Sequence, residues 1–193
     1  VKQFNQLKAS QNFSAAAGSS FQFTNHAGAN VFVIGLGEKT KSKAEGIRRA
    51  AANAFKMIAG KKFSSVCFDA ASFNAINKLV DTVALITESV QMTAYSFDTH
   101  LAKKTEHSFD KVCIYIADKK VKRSLEKTTK QSENVASSIN FMRDLVNEAP
   151  NILHSEEYAD RVEKDVKSAL KGKGVRVKIL GMKELQKENM NLF

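Results

Sequence analysis

The chain has 193 residues, 43% of them hydrophobic and 26% charged, and a formal net charge of +10. This composition is ordinary for a globular protein, and no apolar run approaches the length that a membrane span needs. The first ten residues lack the continuous apolar stretch of a signal peptide, so we expect a cytoplasmic protein with no membrane partner. The charge excess lies entirely before residue 131. A basic surface of this kind can attract acidic partners, although a solvated lysine-rich surface is the simpler interpretation.

The first predicted elements are two strands and a helix. Residues 21–23 have weak strand character, and residues 31–34 form a continuous apolar run that suits a buried strand. Residues 41–59 then place apolar side chains at steps of three and four, which predicts a helix that stops at Gly60. The apolar stripe of this helix consists of Ile47, Ala50, Ala51, Ala54, Phe55 and Ile58.

The alternation of strands and helices continues through the middle of the chain. Residues 66–68 are predicted as a second buried strand, and residues 73–97 as the longest helix. Residues 112–117 form the clearest strand pattern, and residues 124–146 predict another helix. The apolar face of that helix is marked by Ile139, Met142, Leu145 and Val146.

Pro150 is the only proline, and it ends the helical pattern because it disfavours the α region for Ala149. A helix is predicted to begin at Ser155, which acts as a cap before acidic residues, and to continue to about residue 170. Residues 175–180 alternate like a strand, and residues 182–190 predict a short final helix. Together these patterns predict an α/β architecture with a largely parallel or mixed sheet.

The residues alone contain no convincing active site. Gly35-Leu36-Gly37 lacks the third glycine and the acid of a dinucleotide fingerprint, so it is interpreted as a turn leaving a strand. The four histidines show no metal-ligand spacing and are predicted on the surface or in turns. Cys67 and Cys113 lie in apolar strand-like runs, which predicts reduced core thiols rather than a disulfide.

The acidic residues after Ser155 alternate with basic ones on the same predicted helix. The helix carries opposite charges three or four residues apart, namely Glu156, Glu157, Asp160, Glu163 and Asp165 together with Arg161, Lys164 and Lys167. This spacing is typical of ion pairs on a solvated helix face, and it favours that interpretation over a metal site.

Residues 143–153, with the sequence Arg-Asp-Leu-Val-Asn-Glu-Ala-Pro-Asn-Ile-Leu, resemble the segment that opens the catalytic domain of leucyl aminopeptidases. Tyr158 and Ala159 fit the tyrosine or leucine followed by alanine of that family. Upstream, Glu88 and the run at residues 94–98 resemble a glutamate and tyrosine-x-phenylalanine segment of its N-terminal domain. The resemblance covers nearly the whole chain, and its most specific part is residues 143–159.

The resemblance implies an N-terminal α/β domain with a mixed sheet in three layers, similar to macro domains, over residues 1–130. A linker helix and interdomain loop would follow at 131–150, and the first α/β unit of the peptidase domain at 151–193. The parent would be a cytoplasmic homo-hexamer that hydrolyses N-terminal peptide bonds. It would use two divalent metal ions, manganese or zinc, that activate a bridging water.

None of the family's metal ligands or catalytic residues can be carried over, because all of them lie downstream of the matching segment. The resemblance therefore implies a chain that is inactive by itself and binds none of the paired metals. The motif residues are assigned a structural role in the interdomain loop. They are Arg143, Asp144, Asn147, Pro150 and Asn151.

An alternative function is a nucleic-acid-binding or oligomerisation module, since some bacterial members of the family bind DNA. The densest basic cluster would make the contact, and a steep loss of binding with added salt would support it. This cluster consists of Lys39, Lys41, Lys43, Arg48 and Arg49, joined by Lys119, Lys120, Lys122 and Arg123.

Overall fold

A computed structural model describes residues 5–6, 8–9, 12–39, 43–61, 63–73, 78–105 and 111–190. Strands and helices alternate along the chain, which confirms the α/β class expected from the sequence. The chain divides into two compact units, Val1–Phe141 and Met142–Phe193. The domain limits at residues 130 and 150 stay predictions. No helix in the described part of the chain is long and apolar enough to cross a membrane.

The first unit begins with an antiparallel hairpin of β1 (Ser20–Thr24) and β2 (Asn30–Ile34). Asn25 organises the turn, because its side-chain oxygen accepts hydrogen bonds from the N–H groups of Ala27 and Ala29. This use of an asparagine side chain to fix a turn is common. The weak strand character at residues 21–23 therefore marks a real strand.

The segment before β1 runs alongside the glycines that follow β2. The N–H of Gly35 donates to the Ser19 carbonyl at 2.7 Å, and the N–H of Gly37 donates to the Ala15 carbonyl at 3.0 Å. A Cβ atom at Gly35 would overlap the Ala16 carbonyl, and Gly37 has a φ of 78°. Both positions require glycine, so the interpretation of this motif as a structural turn is confirmed.

Helix α1 (Ala44–Ala59) packs against α3 (Leu79–Ala94) in the core of the first unit. The buried residues of α1 are the six of the predicted stripe. Thr87 and Ser89 of α3 are buried, and each donates its hydroxyl hydrogen bond to the carbonyl four residues earlier. Helix α3 ends at Ala94, three residues before the predicted end.

Strands β3 (Ser65–Asp69) and β4 (Lys111–Tyr115) form a separate parallel pair, with the four-residue α2 (Ala70–Phe73) directly after β3. The described strands therefore form two small sheets, one antiparallel and one parallel. Phe68 is buried against the helices, but Cys67 is exposed and Cys113 is only half-buried. Both cysteines are free here, but the prediction that both are core residues is wrong because their side chains point away from the core.

Helix α4 (Lys122–Asn147) follows a 3-10 turn at Lys119–Val121. It ends before Pro150, as predicted. Within the first unit its buried residues are Leu125, Ser132 and Ala136. The predicted apolar face is largely exposed: Leu145 is buried, but Ile139, Met142 and Val146 are 39%, 49% and 79% exposed.

The second unit contains α5 (Ser155–Ala169) and α6 (Met182–Lys187). Both helices were predicted, although α6 ends three residues early. The prediction that Ser155 caps α5 is wrong, because Ser155 is the first helical residue and His154 occupies the N-cap position. Residues 175–180 were predicted as a strand, and this prediction is wrong. No described residue pairs with this segment, and a strand needs such a partner for its ladder of hydrogen bonds.

Candidate functional site

The end of α4 and the turn after it carry the five motif residues. Arg143, Asp144 and Asn147 lie in the last two turns of α4, and Pro150 and Asn151 lie in the turn that follows. The N–H groups of Ile152 and Leu153 both donate to the Ala149 carbonyl at 2.9 Å. The chain therefore leaves α4 through a tight turn, and proline suits the second position of such a turn because its ring fixes φ at the value that the turn needs.

Glu148 ties this turn to α5. Its side chain is 3% exposed, and one carboxylate oxygen accepts a hydrogen bond from the N–H of Ala149 at 3.1 Å. The other oxygen accepts from Nη1 of Arg161 at 2.9 Å. Nε of Arg161 also donates to Glu157 at 2.7 Å. Both hydrogen bonds raise the pKa of Arg161, and the bond to Glu157 has the larger effect.

Sequence reasoning found only part of this arrangement. The ion pairs of Arg161 with Glu157 and of Lys167 with Glu163 confirm the prediction of a salt-bridged helix face. The bond between Arg161 and Glu148 was missed. The two residues are thirteen positions apart, and Glu148 lies outside both helices, so no helical spacing connects them.

The segment at residues 94–98, which resembles part of the N-terminal domain of the family, begins at the last residue of α3 and continues as a loop organised by Asp98. A carboxylate oxygen of Asp98 accepts a hydrogen bond from the N–H of Thr105 at 2.7 Å. The hydroxyls of Ser96 and Thr105 lie 2.8 Å apart, and the Asp98 carbonyl accepts from the N–H of Leu101. The short polar side chains here fix the path of the backbone after α3.

Glu88 joins three helices of the first unit. Its carboxylate lies 3.8 Å from Arg48 on α1 and accepts a hydrogen bond from the Ser132 hydroxyl on α4 at 3.4 Å. The Glu88 side chain is only 20% exposed, so its charge is screened less than that of a surface acid. Glu88 thus acts as a polar contact among α1, α3 and α4.

Some residues of the basic cluster form ion pairs with nearby acids. Lys39 and Lys43 lie before α1, Arg48 and Arg49 lie on it, and Lys41 lies outside the described residues. Arg49 pairs with Glu45 at 2.9 Å, and Arg48 contacts Glu45 and Glu88 at 3.9 and 3.8 Å. Much of the arginine charge is therefore neutralised locally. Of the second group, Lys122 pairs with Glu126 at 3.7 Å.

The described residues do not fit a metal centre. Among them, no three His, Cys, Asp or Glu side chains lie where they could hold an ion together. A cleft of about 630 Å³ in the first unit lies between α3, β4 and α4, but its walls are mostly apolar. Tyr115, Asp118 and Glu126 are among its polar residues. This cleft therefore offers mainly hydrophobic contact to a ligand.

Comparison with known proteins identifies similar chains. A model described as the cytosol aminopeptidase family, N-terminal domain, matches residues 1–104. A probable cytosol aminopeptidase of Fusobacterium nucleatum is 35% identical over 161 residues, covering 83% of this chain and 30% of that protein. One from Clostridium tetani is 28% identical over 191 residues, covering 98% and 38%. This chain thus spans about a third of the length of the curated relatives it matches.

Solved structures resemble the fold over nearly the whole chain. A tomato leucine aminopeptidase mutant gives a TM-score of 0.76 with 17% identity and covers 97% of this chain and 37% of that one. The bottromycin maturation enzyme BotP gives a TM-score of 0.77 with 18% identity and covers 94% and 37%. At this level of identity the likeness concerns the fold.

Proposed function

This chain belongs to the cytosol aminopeptidase family, and from that premise we propose that it is the N-terminal portion of a leucyl aminopeptidase. The parent enzyme would remove N-terminal residues from peptides. The observation that carries the proposal is the family match over residues 1–104. The distinctive segment at residues 143–153 supports it independently, because that segment lies beyond the matched range.

The proposed organisation has three parts. Residues 1–130 form the N-terminal domain, residues 131–150 the linker helix and interdomain loop, and residues 151–193 the beginning of the peptidase domain. In this proposal Arg143, Asp144, Asn147, Pro150 and Asn151 shape the loop and take no part in chemistry. Their place at the end of α4 and in the following turn supports that role. The parent would be a cytoplasmic homo-hexamer.

The proposed parent uses two divalent metal ions, manganese or zinc. BotP has also been solved in a structure described as a complex with Mn, which supports metal use among proteins of this fold. The described residues of the present chain offer no suitable group of ligands. We therefore assign the metal ligands to the part of the parent beyond this chain and expect these 193 residues to be inactive by themselves.

The test compares this chain with the product of its own gene. Both are assayed on a leucyl substrate with added Mn²⁺ or Zn²⁺, and the mass of the gene product is measured. A product much larger than 21.3 kDa that is active with metal, beside an inactive 193-residue chain, supports the proposal. An inactive gene product of 21.3 kDa contradicts the peptidase function, and activity of the 193-residue chain contradicts the placement of the metal ligands.

A second proposed function is nucleic-acid binding by the basic cluster, favoured by the net charge of +10 and its location before residue 131. The ion pairs of Arg48 and Arg49 limit it, because paired arginines have less charge to offer phosphates. The test is titration of duplex DNA at rising salt concentration with this chain and an Arg49→Gln variant. Binding that is absent, or that salt does not weaken, contradicts this function.

A further inference from the structure

Cys67 on β3 and Cys113 on β4 are direct partners in the parallel register. Neighbouring strands lie about 4.8 Å apart, and disulfides join residues whose Cα atoms are about 4.4–6.8 Å apart. Since side chains alternate along a strand, register partners also lie on the same face of the sheet. We propose that Cys67 and Cys113 form a dithiol site that reacts with small-molecule disulfides and closes into a disulfide between the two strands.

The dithiol site lies on the accessible face of the parallel pair. Phe68 and its partner Ile114 pack into the core, so the adjacent positions 67 and 113 point the other way. Cys67 is exposed and Cys113 is half-buried. Cys67 also lines a groove of about 820 Å³ between β2 and β3, which is large enough to admit a small thiol compound. Access to the first sulfur therefore requires no unfolding.

The reaction proceeds by two exchanges with oxidised glutathione as the reactant. The Cys67 thiolate attacks one sulfur of the small disulfide, whose S–S bond breaks and releases one glutathione thiolate, which takes up a proton. The Cys113 thiolate then attacks the sulfur of Cys67 in the mixed disulfide and releases the second glutathione. Two protein thiols are oxidised to one disulfide, and the small disulfide is reduced to two thiols.

The other side chains on this face make the site polar. Ser65 and Asp69 share the face with Cys67, and Lys111 and Tyr115 share it with Cys113. Lys111 and Tyr115 are exposed. The ammonium group of Lys111 favours the carboxylates of oxidised glutathione, whereas the Asp69 carboxylate opposes them. Exposed disulfides of this kind are readily reduced, so the bond should open again with reduced glutathione.

The experiment treats the folded 193-residue chain with oxidised glutathione and follows its mass and its peptide map. The chain should lose two hydrogen atoms and show one linked peptide that contains Cys67 and Cys113. A Cys113→Ser variant should stop at a single glutathione adduct on Cys67. A Cys67→Ser variant should react severalfold more slowly, because Cys113 is the less exposed thiol.

The proposal would be overturned by adducts on both cysteines without a link, by links only between separate chains, or by no adduct on Cys113→Ser. Serine is close to cysteine in size, so we expect each variant to fold. Circular dichroism of each variant checks this expectation. The reaction is also repeated in urea. A bond that forms only in the unfolded chain would likewise contradict a site made by the register of β3 and β4.

Discussion

The guanidinium of Arg161 donates a hydrogen bond to the nearly buried carboxylate of Glu148 at 2.9 Å. Glu148 follows the last residue of α4, and Arg161 lies in the second turn of α5. The same carboxylate accepts from the N–H of Ala149, so it joins the turn to the helix after it. A charge-assisted contact of this geometry is stronger than a bond between neutral groups.

Replacing Arg161 with methionine should loosen this turn. The Glu148 carboxylate would remain largely buried without its guanidinium contact, which is unfavourable for a charged group. We expect faster hydrogen exchange at the amides of Ile152 and Leu153 and a lower unfolding temperature. The matched control is Lys167→Met, which removes a pair on the same helix whose lysine is 60% exposed. Such surface pairs contribute about 0–1 kcal/mol, so an equal loss in both variants would contradict the role of Arg161.

Replacing Gly35 with alanine should disrupt the region around the hairpin. The new Cβ would overlap the Ala16 carbonyl and the Ser19 hydroxyl, and backbone atoms there must shift. Overpacking of this kind costs about 1–3 kcal/mol. Gly60→Ala is the control, because no atom lies within 4 Å of a Cβ at that position. Urea unfolding of both variants measures the difference, and a fully stable Gly35→Ala chain would rule out the close approach.

Truncating Ile47 should destabilise the first unit more than truncating Val80. Ile47 is 0% exposed within the core cluster of α1 and α3, whereas Val80 is 37% exposed. Ile47→Ala should lower the free energy of unfolding by about 2–5 kcal/mol through lost transfer energy and a new cavity. Val80→Ala, also on a helix, should cost far less. Chemical denaturation gives both values, and similar losses would contradict the packing of α1.

The reactivity of Cys67 should rise at alkaline pH. Although the side chain is exposed, partial desolvation of its thiol is the largest cause that raises the pKa of Cys67, followed by Cys113, and the Asp69 carboxylate adds to them. The Tyr115 backbone hydrogen bond acts in the opposite direction. A raised pKa means less thiolate at neutral pH, so the rate of reaction should increase as pH rises beyond the usual range of cysteine.

The effect of Asp69 provides the check on this pH dependence. Asp69→Asn removes a negative charge, so it should lower the pKa of Cys67 and speed its reaction at neutral pH. The charge of Lys111, on the paired strand, is unchanged in this variant. Rates with iodoacetamide measured across the pH range give the pKa directly. A profile in Asp69→Asn that matches the unaltered chain would contradict the electrostatic argument.

The sequence predicts best where a pattern is local and the element is packed within the described chain. All six residues of the α1 stripe are buried because the helix has α3 to pack against. Pro150 marks the end of α4 correctly, since its effect on the preceding residue is a backbone property. The glycines at positions 35 and 37 were also identified as structural from their place after a strand.

The predictions that failed depend on contacts that periodicity does not show. Residues 175–180 alternate like a strand, but no partner strand lies beside them in the described part of the chain. Ile139 and Val146 follow helical spacing, yet they are exposed because no described element covers that side of α4. The side-chain bond from Arg161 to Glu148 joins residues with no periodic relation. Sequence patterns identify a surface that suits burial and do not identify its partner.

Residues 175–180 pair with no described strand, and this affects where a protease cleaves the chain. Proteases bind their substrates in extended form, and this exposed stretch forms no sheet hydrogen bonds with the described residues that would have to break first. Arg176 and Lys178 lie within it and provide two trypsin sites. In a brief digestion the first cleavage should fall here, while the many basic residues on α1 and α4 remain uncut. If the first fragments end at Arg176 or Lys178, the digestion identifies residues 175–180 as a strand-like segment without a partner strand.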